Sequence, residues 1–139
     1  TTRAAIASIS SVIKSYKKDK GVFYDLGSCR GTCVLGVVKH CPSIQAFGVD
    51  DSKFRNWLAA KKSFLFNRPA KFILGDIYKA NVSTADIVYL YLQPSAMPIL
   101  EKKLLKELKK GTLLVSFRYK ISLPLVTYDK INDIYLYKI

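Results

Sequence analysis

Val22-Phe-Tyr-Asp-Leu-Gly-Ser-Cys-Arg-Gly-Thr32 decides how the rest of the chain is read. Val22 to Leu26 are β-branched and aromatic, the composition of a short buried strand. Gly27 then allows a sharp turn, and Gly31 opens an apolar run, Thr32 to Val38, long enough for a helix. A strand, a glycine turn and a helix N-terminus bring backbone N–H groups and a helix dipole to one ligand site. Asp25, at the strand's end, adds a carboxylate that accepts hydrogen bonds. The stretch predicts the first β-α unit of a nucleotide-type cofactor site.

Other glycine loops fit less well. No Gly-Lys-Ser/Thr follows, as a phosphate loop requires, and a dinucleotide fingerprint would place glycine where Cys29 and Thr32 stand. The pattern that fits is Asp-x-Gly-x-(Gly)-x-Gly, that of S-adenosylmethionine (SAM) sites, with Cys29 in the middle glycine's place.

The chain continues as an alternation of helices and strands. Before the decisive stretch, residues 2 to 18 predict an amphipathic helix through Ile6, Ile9, Val12 or Ile13, and Tyr16, with Lys14, Lys17, Lys18 and Lys20 at its end and Gly21 as its stop. After it, Gly31 to His40 should be a buried helix, stopped by Cys41-Pro42. Gln45 to Asp50 reads as a second strand. Ser52 suits the cap of a helix that should turn Phe54, Trp57, Leu58 and Leu65 inward. Lys71 to Asp76 reads as a third strand, followed by a polar connection over 77–84. Ala85 to Leu92 is the strongest strand and should lie mid-sheet. Met97, Leu100, Leu104 and Leu108 mark one face of a helix whose other face is lysine-rich, with Gly111 as its stop. Thr112 to Phe117 is a fifth strand. Leu123 to Thr127 and Ile134 to Ile139 predict a closing hairpin around 129–133. The alternation predicts a Rossmann-like three-layer α/β sandwich: a mostly parallel seven-strand sheet with a C-terminal antiparallel hairpin. With 139 residues, one core and one domain over 1–139 are expected: an N-terminal helix over 1–20, a β-α core over 22–118 and a hairpin over 123–139.

Charge is the chain's strongest bulk property. Its 23 Lys and Arg outnumber 10 Asp and Glu, a net +13, which favours nucleic acid, anionic membrane surfaces or acidic protein patches over cationic partners. No apolar run approaches the ~20 residues that span a bilayer. Cys29, Cys33 and Cys41 lack metal-site spacing, so no metal is expected and buried structural thiols are. The thiols, without a recognisable signal peptide, predict a reducing, cytoplasmic setting, or a mitochondrial one if a leader precedes Thr1.

The scarce acids are informative. Asp25, Asp50 and Asp76 fall at the ends of three successive predicted strands, and open α/β sheets bind ligands at that edge. Asp50 is placed to hydrogen-bond ribose hydroxyls. Gly75 leaves room for a flat group, and Asp76 can accept from an amine such as adenine's.

These segments carry a resemblance. Tyr24-Asp-Leu-Gly-Ser-Cys-Arg-Gly31, Phe47-Gly-Val-Asp50, Gly75-Asp76 and Ala85-Asp-Ile-Val-Tyr-Leu-Tyr-Leu-Gln-Pro94 resemble the seven-strand class I SAM-dependent methyltransferases. Leu100 to Thr112, Val115-Ser116 and Ile134-Tyr-Leu-Tyr137 resemble, more specifically, the small archaeal protein-lysine methyltransferases and their mitochondrial relatives. The resemblance implies SAM as cofactor and a lysine-bearing protein as substrate. It implies that Asp25, Gly27 and Gly31 shape the methionine end of SAM, that Ser28 also belongs to the cofactor site, that Asp50 holds the ribose, and that Asp76 with the Ile77 backbone reads adenine. Tyr91, Leu92 and Gln93 would lie beside the methyl group and the incoming amine, and Thr1 and Thr2 would be the remnant of a segment folded over the cofactor in relatives. Two positions depart: Cys29 replaces a glycine, and Arg30 replaces what is usually Asp or Asn.

The implied reaction is displacement at the SAM methyl by a neutral lysine amine, with Tyr91 and Gln93 holding the amine. Tyr89 is expected to serve strand packing. An RNA methyltransferase using the basic surface is the rival enzyme, although no Asn/Asp-Pro-Pro-Tyr follows the fourth strand. A methyltransferase fold kept as a non-catalytic binding subunit is the third reading, motivated by Cys29 and Arg30.

Overall fold

The computed structural model describes residues 1–17 and 20–139; Lys18, counted above in the basic end of the first helix, lies outside the described residues. The elements run α1 (Arg3–Lys17), β1 (Gly21–Leu26), α2 (Thr32–His40), β2 (Ile44–Asp50), α3 (Lys53–Leu65), β3 (Lys71–Leu74), β4 (Ile87–Leu90), α4 (Met97–Glu107), β5 (Leu113–Phe117), β6 (Leu125–Asp129) and β7 (Ile134–Lys138). A short 3-10 turn, Pro94–Ala96, leads into α4. The sheet order is β3-β2-β1-β4-β5-β7-β6. The first five strands are parallel, and β7 is antiparallel to both β5 and β6. This is the expected mixed sheet of a Rossmann-like methyltransferase fold. Among the described residues, no helix is long and apolar enough to cross a membrane.

Alternation along each strand splits the core in two. On one face, Phe23, Ile87, Tyr89, Leu113 and Val115 pack against Ile9 and Ile13 of α1 and Val34 and Val37 of α2. On the other, Leu26, Val88, Leu90, Leu114 and Tyr137 pack against Met97, Leu100 and Leu104 of α4, as the spacing of those three predicts. Between β3 and β4 the chain forms turns rather than a helix, and Val82 and Ala85 fill the same side of the core.

Gly21 opens β1 rather than closing α1. Its φ is 118°, and a β-carbon there would stand 2.8 Å from Asp86 Oδ2, the atom that accepts the Val22 N–H at 2.9 Å. α4 stops before Gly111, with extended Leu108 as its C-cap; Gly111 instead forms the turn into β5 with φ 88°.

The third helix corrects an expectation. Phe54, Trp57 and Leu65 are exposed, and the buried residues of α3 are Asn56, Ala59 and Ser63. Asn56 Nδ2 donates to Asp50 O at 2.8 Å and to Ile73 O at 3.3 Å. Ser63 Oγ donates to Arg68 O at 2.6 Å and accepts from Ala70 N at 3.2 Å. The polar face turns inward and hydrogen-bonds backbone groups around β3 and the end of β2, although Asp50 O also accepts from Gly75 N at 3.0 Å and Asn56 Oδ1 is buried with no partner among the described residues. Ala59 lets the helix lie close: a β-carbon at Gly31 would come within 2.9 Å of it.

Candidate active site

The carboxyl ends of β1, β2 and β4 open onto a cleft with two adjoining lobes. The larger, about 350 Å³, is lined by residues that include Asp50, Gly75, Asp76, Ile77, Leu92 and Gln93. The smaller, about 240 Å³, is lined by residues that include Thr1, Asp25, Ser28, Thr32, Cys33 and Tyr89. Gly27, Cys29 and Tyr91 line both and form the junction. A bigger hollow of about 630 Å³ lies at the opposite ends of β2 and β3, lined by Pro42 to Phe47 and Pro69 to Lys71. It contains no carboxylate and faces no helix N-terminus, so it lacks the chemistry of the cleft.

The loop after β1 is held by its backbone. Gly27 and Ser28 N–H both donate to Val49 O, at 2.8 and 3.0 Å, and Gly31 N–H donates to Ser28 O at 2.9 Å. Gly27 has φ 87°, and a β-carbon there would strike Leu92 Cδ2 at 2.8 Å. Cys29 adopts φ 50°, a left-handed conformation that costs a side-chain-bearing residue about 1–2 kcal/mol. Its N–H donates to Asp50 Oδ2 at 3.0 Å, which joins the loop to the end of β2. Its thiol is exposed, unlike those of Cys33 and Cys41, so it is not the buried thiol expected of it. Arg30 is exposed and lines neither lobe.

Asp25 is buried, and its carboxyl is pushed up to about 7, chiefly by burial, with a smaller contribution from the Asp50 charge. The same burial, together with the Asp25 charge, pushes the Cys33 thiol well above its ordinary value, which makes it unreactive. Asp50 is equally buried but paired. Its Oδ1 accepts from Ser52 N at 2.9 Å and Arg55 Nε at 2.8 Å, which leaves Oδ2, bonded to the Cys29 N–H, with a lone pair to spare. Asp76 is exposed at the rim, where its Oδ1 accepts from Tyr78 N at 2.8 Å.

Of the residues named from the sequence, Asp25, Gly27, Ser28, Asp50, Asp76, Ile77, Tyr91 and Gln93 all line the cleft. Gly31 does not: with φ 72°, the side where a β-carbon would stand meets Phe72 at 2.7 Å, so it serves loop packing. The Ser28 hydroxyl lies over Gly48 and is buried with no hydrogen-bond partner among the described residues. Tyr89 packs in the core beside Phe23, and its hydroxyl bonds Thr1 Oγ1 at 2.7 Å.

Two arginines escaped the sequence reading. Arg55 lies in the first turn of α3, where the dipole disfavours a cation; an arginine there, five positions after a strand-end aspartate, signals the pair it makes with Asp50. Arg118 follows β5 with φ 71°. It donates to Tyr91 Oη at 3.2 Å and lies over the Phe117 ring at 5.2 Å. Only its place at the end of a strand could have pointed to it.

The cleft fits SAM in its polar groups. The larger lobe has two strand-end carboxylates and open space beside Gly75, where nothing lies within 4 Å of a β-carbon position. The smaller lobe has a buried carboxyl and the first residues of α2, where N–H groups suit a carboxylate. A seven-strand sheet in this order, with three aspartates along the cleft at the ends of β1, β2 and β3, defines a class I SAM-dependent methyltransferase. The model of the ANTKMT methyltransferase domain matches residues 25–124, and the chain belongs to that family, whose cofactor is SAM. A protein-lysine N-methyltransferase of Saccharolobus islandicus is 30% identical over 102 residues, covering 72% of this chain and 63% of that protein. The ATP synthase C-subunit lysine N-methyltransferase of Xenopus laevis is 25% identical over 118 residues, covering 84% of this chain and 51% of that protein. The chain thus spans about half to just under two thirds of these relatives' own length. In three dimensions it is similar to an RNA methyltransferase from Salinibacter ruber in complex with S-adenosyl-L-homocysteine. That TM-score is 0.86 at 25% identity, covering 100% of this chain and 92% of the other.

Proposed function

We propose that the domain methylates the ε-amine of a protein lysine. The observation that carries this reading is Tyr91, which stands where the two lobes meet, with Leu92 and Gln93 beside it. The protein-lysine methyltransferases among its relatives support it.

SAM, when bound, supplies an electrophilic methyl group. The chain's part is mainly alignment, worth several powers of ten in rate. Asp50, with Asp76 and the Ile77 backbone, would hold the adenosine, and Asp25, Gly27 and Ser28 the methionine end. The incoming amine must be neutral, and free lysine titrates near 10.4. Leu92 and the Tyr91 ring desolvate it, which favours the neutral form. The Arg118 guanidinium, which donates to Tyr91 Oη, repels an ammonium and adds to that preference. Tyr91 Oη and the Gln93 amide oxygen would accept the amine's N–H groups, which aims its lone pair into the cleft. The proton leaves to water through the open rim; no side chain is assigned as base.

A second reading, RNA methylation, is favoured by the Salinibacter ruber neighbour and by the net charge of +13. Incubation with methyl-labelled SAM and either cell protein or total RNA separates the two. Label in protein, recovered as methyl-lysine after hydrolysis, is the expected result; label in RNA alone overturns the lysine reading. Absence of label together with no calorimetric heat from SAM leaves the domain a non-catalytic binding subunit.

A further inference from the structure

α3 is inverted relative to an ordinary surface helix, and the inversion calls for a partner. Its outward face carries Phe64, 87% exposed, Leu65, 72%, Phe54, 65%, and Trp57, 52%, and Phe66 follows at 57%. At 100° per residue, Phe54, Trp57, Leu58, Lys61, Phe64 and Leu65 fall on one side and Asn56, Ala59 and Ser63 on the other. Phe54 and Trp57 stack on each other at 6.1 Å. Beside the helix, edge strand β3 exposes Leu74, which shares the sheet face of Phe72, the residue packed at Gly31 next to Ala59. A contiguous apolar surface of this kind marks an interaction site.

The charges on the helix itself have one sign, and exposed Asp51 just before it is paired with Arg55. α3 contains Lys53, Arg55, Lys61 and Lys62 and no acid. Lys61 Nζ rests over the Trp57 ring at 4.4 Å and Arg68 Cζ over the Phe66 ring at 5.4 Å. Arg68 also lines a neighbouring concavity of about 450 Å³ with Arg3, Lys39 and His40, into which no carboxylate projects. Among the described residues, none of Arg3, Lys39, Lys53, Lys61, Lys62 or Arg68 makes an ion pair. Aromatic and aliphatic side chains framed by unpaired cations are the composition of a helix that lies in a membrane interface. The concavity at its end has the charge to take a phosphate headgroup.

We propose that the α3 face, with the Arg3–Lys39–His40–Arg68 concavity, docks the domain onto the surface of a bilayer containing anionic phospholipid. Docking between two copies would set these cations against one another across a two-fold axis. RNA would use the cations but leave Leu65 and Leu74 without a role. Because α3 begins at Ser52, beside the Asp50–Arg55 wall of the cleft, a docked domain holds its cofactor cleft next to the bilayer. The proposal is independent of which nucleophile is methylated.

Trp57 is the chain's one tryptophan, so its emission reports on this face alone. The full chain is mixed with phosphatidylcholine vesicles, with or without phosphatidylserine, and Trp57 emission, acrylamide quenching and co-sedimentation are measured. A blue shift and protection with anionic vesicles, absent with neutral ones and reduced by salt, are expected. The Phe64→Ser/Leu65→Ser variant, changed only at exposed positions, should bind on the order of tenfold or more weakly, and Lys61→Glu/Lys62→Glu should lose the anionic preference. Unchanged Trp57 emission with anionic vesicles overturns the proposal, as does equal binding to neutral ones. So does protection of Trp57 by an RNA oligonucleotide instead, or by self-association in sedimentation without lipid.

Discussion

Replacing Asp25 by Asn should stabilise the free domain at neutral and alkaline pH while weakening its hold on SAM. The native Asp25 carboxyl titrates at about 7 because it is buried; in the unfolded chain it titrates near 3.9. Below about pH 4 it is protonated in both states and the side chain makes no pH-dependent difference. Between about pH 4 and 7 the unfolded chain releases the proton and the native state keeps it, so wild-type stability falls as pH rises. Above about 7 both are ionised and the full cost stands. About three units at 1.36 kcal/mol each give about 4 kcal/mol as an upper figure. Asparagine has no such charge, and the other titrations cancel in the difference between the two proteins. Guanidinium denaturation of both proteins from pH 4.5 to 8.5 should therefore show the variant's advantage growing to a few kcal/mol. An advantage that does not change with pH would refute the burial argument. Calorimetry with SAM should show the reverse order of affinity near pH 8. A cationic amino group beside Asp25 pulls its carboxyl down, so binding near pH 7 should release a proton, seen as a heat that depends on the buffer's ionisation enthalpy.

Other outcomes follow from the same geometry. Arg118→Gln should move the acid limb of the activity–pH profile upward by on the order of half to one unit, because an exposed cation bonded to Tyr91 Oη, the group assigned to receive the amine, contributes on the order of 1 kcal/mol; Arg118→Lys should restore most of it. Cys29→Gly relieves a left-handed side-chain-bearing residue that the free domain already holds at φ 50° and should stabilise the fold by up to about 1–2 kcal/mol in chemical denaturation. Leu104→Ala, in the buried face of α4, should cost about 2–5 kcal/mol in chemical denaturation. Asn56→Leu removes two hydrogen bonds to backbone carbonyls and should destabilise by about 1–3 kcal/mol despite adding apolar surface.

Most of the fold was legible because its signals are local. Apolar spacing marked α4, β-branched runs marked the central strands, and each strand-end aspartate announced itself by scarcity. The cleft was legible for the same reason: in a parallel sheet, strand ends converge on one edge wherever the strands are in sequence. What stayed hidden needed contacts between segments distant in the chain. Gly31 looks like a cofactor glycine until Phe72 and Ala59 are seen packed beneath it. Arg118 looks like any surface arginine until the end of β5 brings it to Tyr91. α3 misled most, and for a physical reason. Hydrophobic periodicity identifies the apolar face of a helix, and the inference that this face points inward holds only if burial is the strongest demand on the helix. Here Asn56 and Ser63 hydrogen-bond backbone groups at the edge of the sheet, each such bond contributing on the order of 1 kcal/mol, and small Ala59 lets the helix lie close. With the polar face bonded inward, the aromatic residues stand on the surface where a partner can use them.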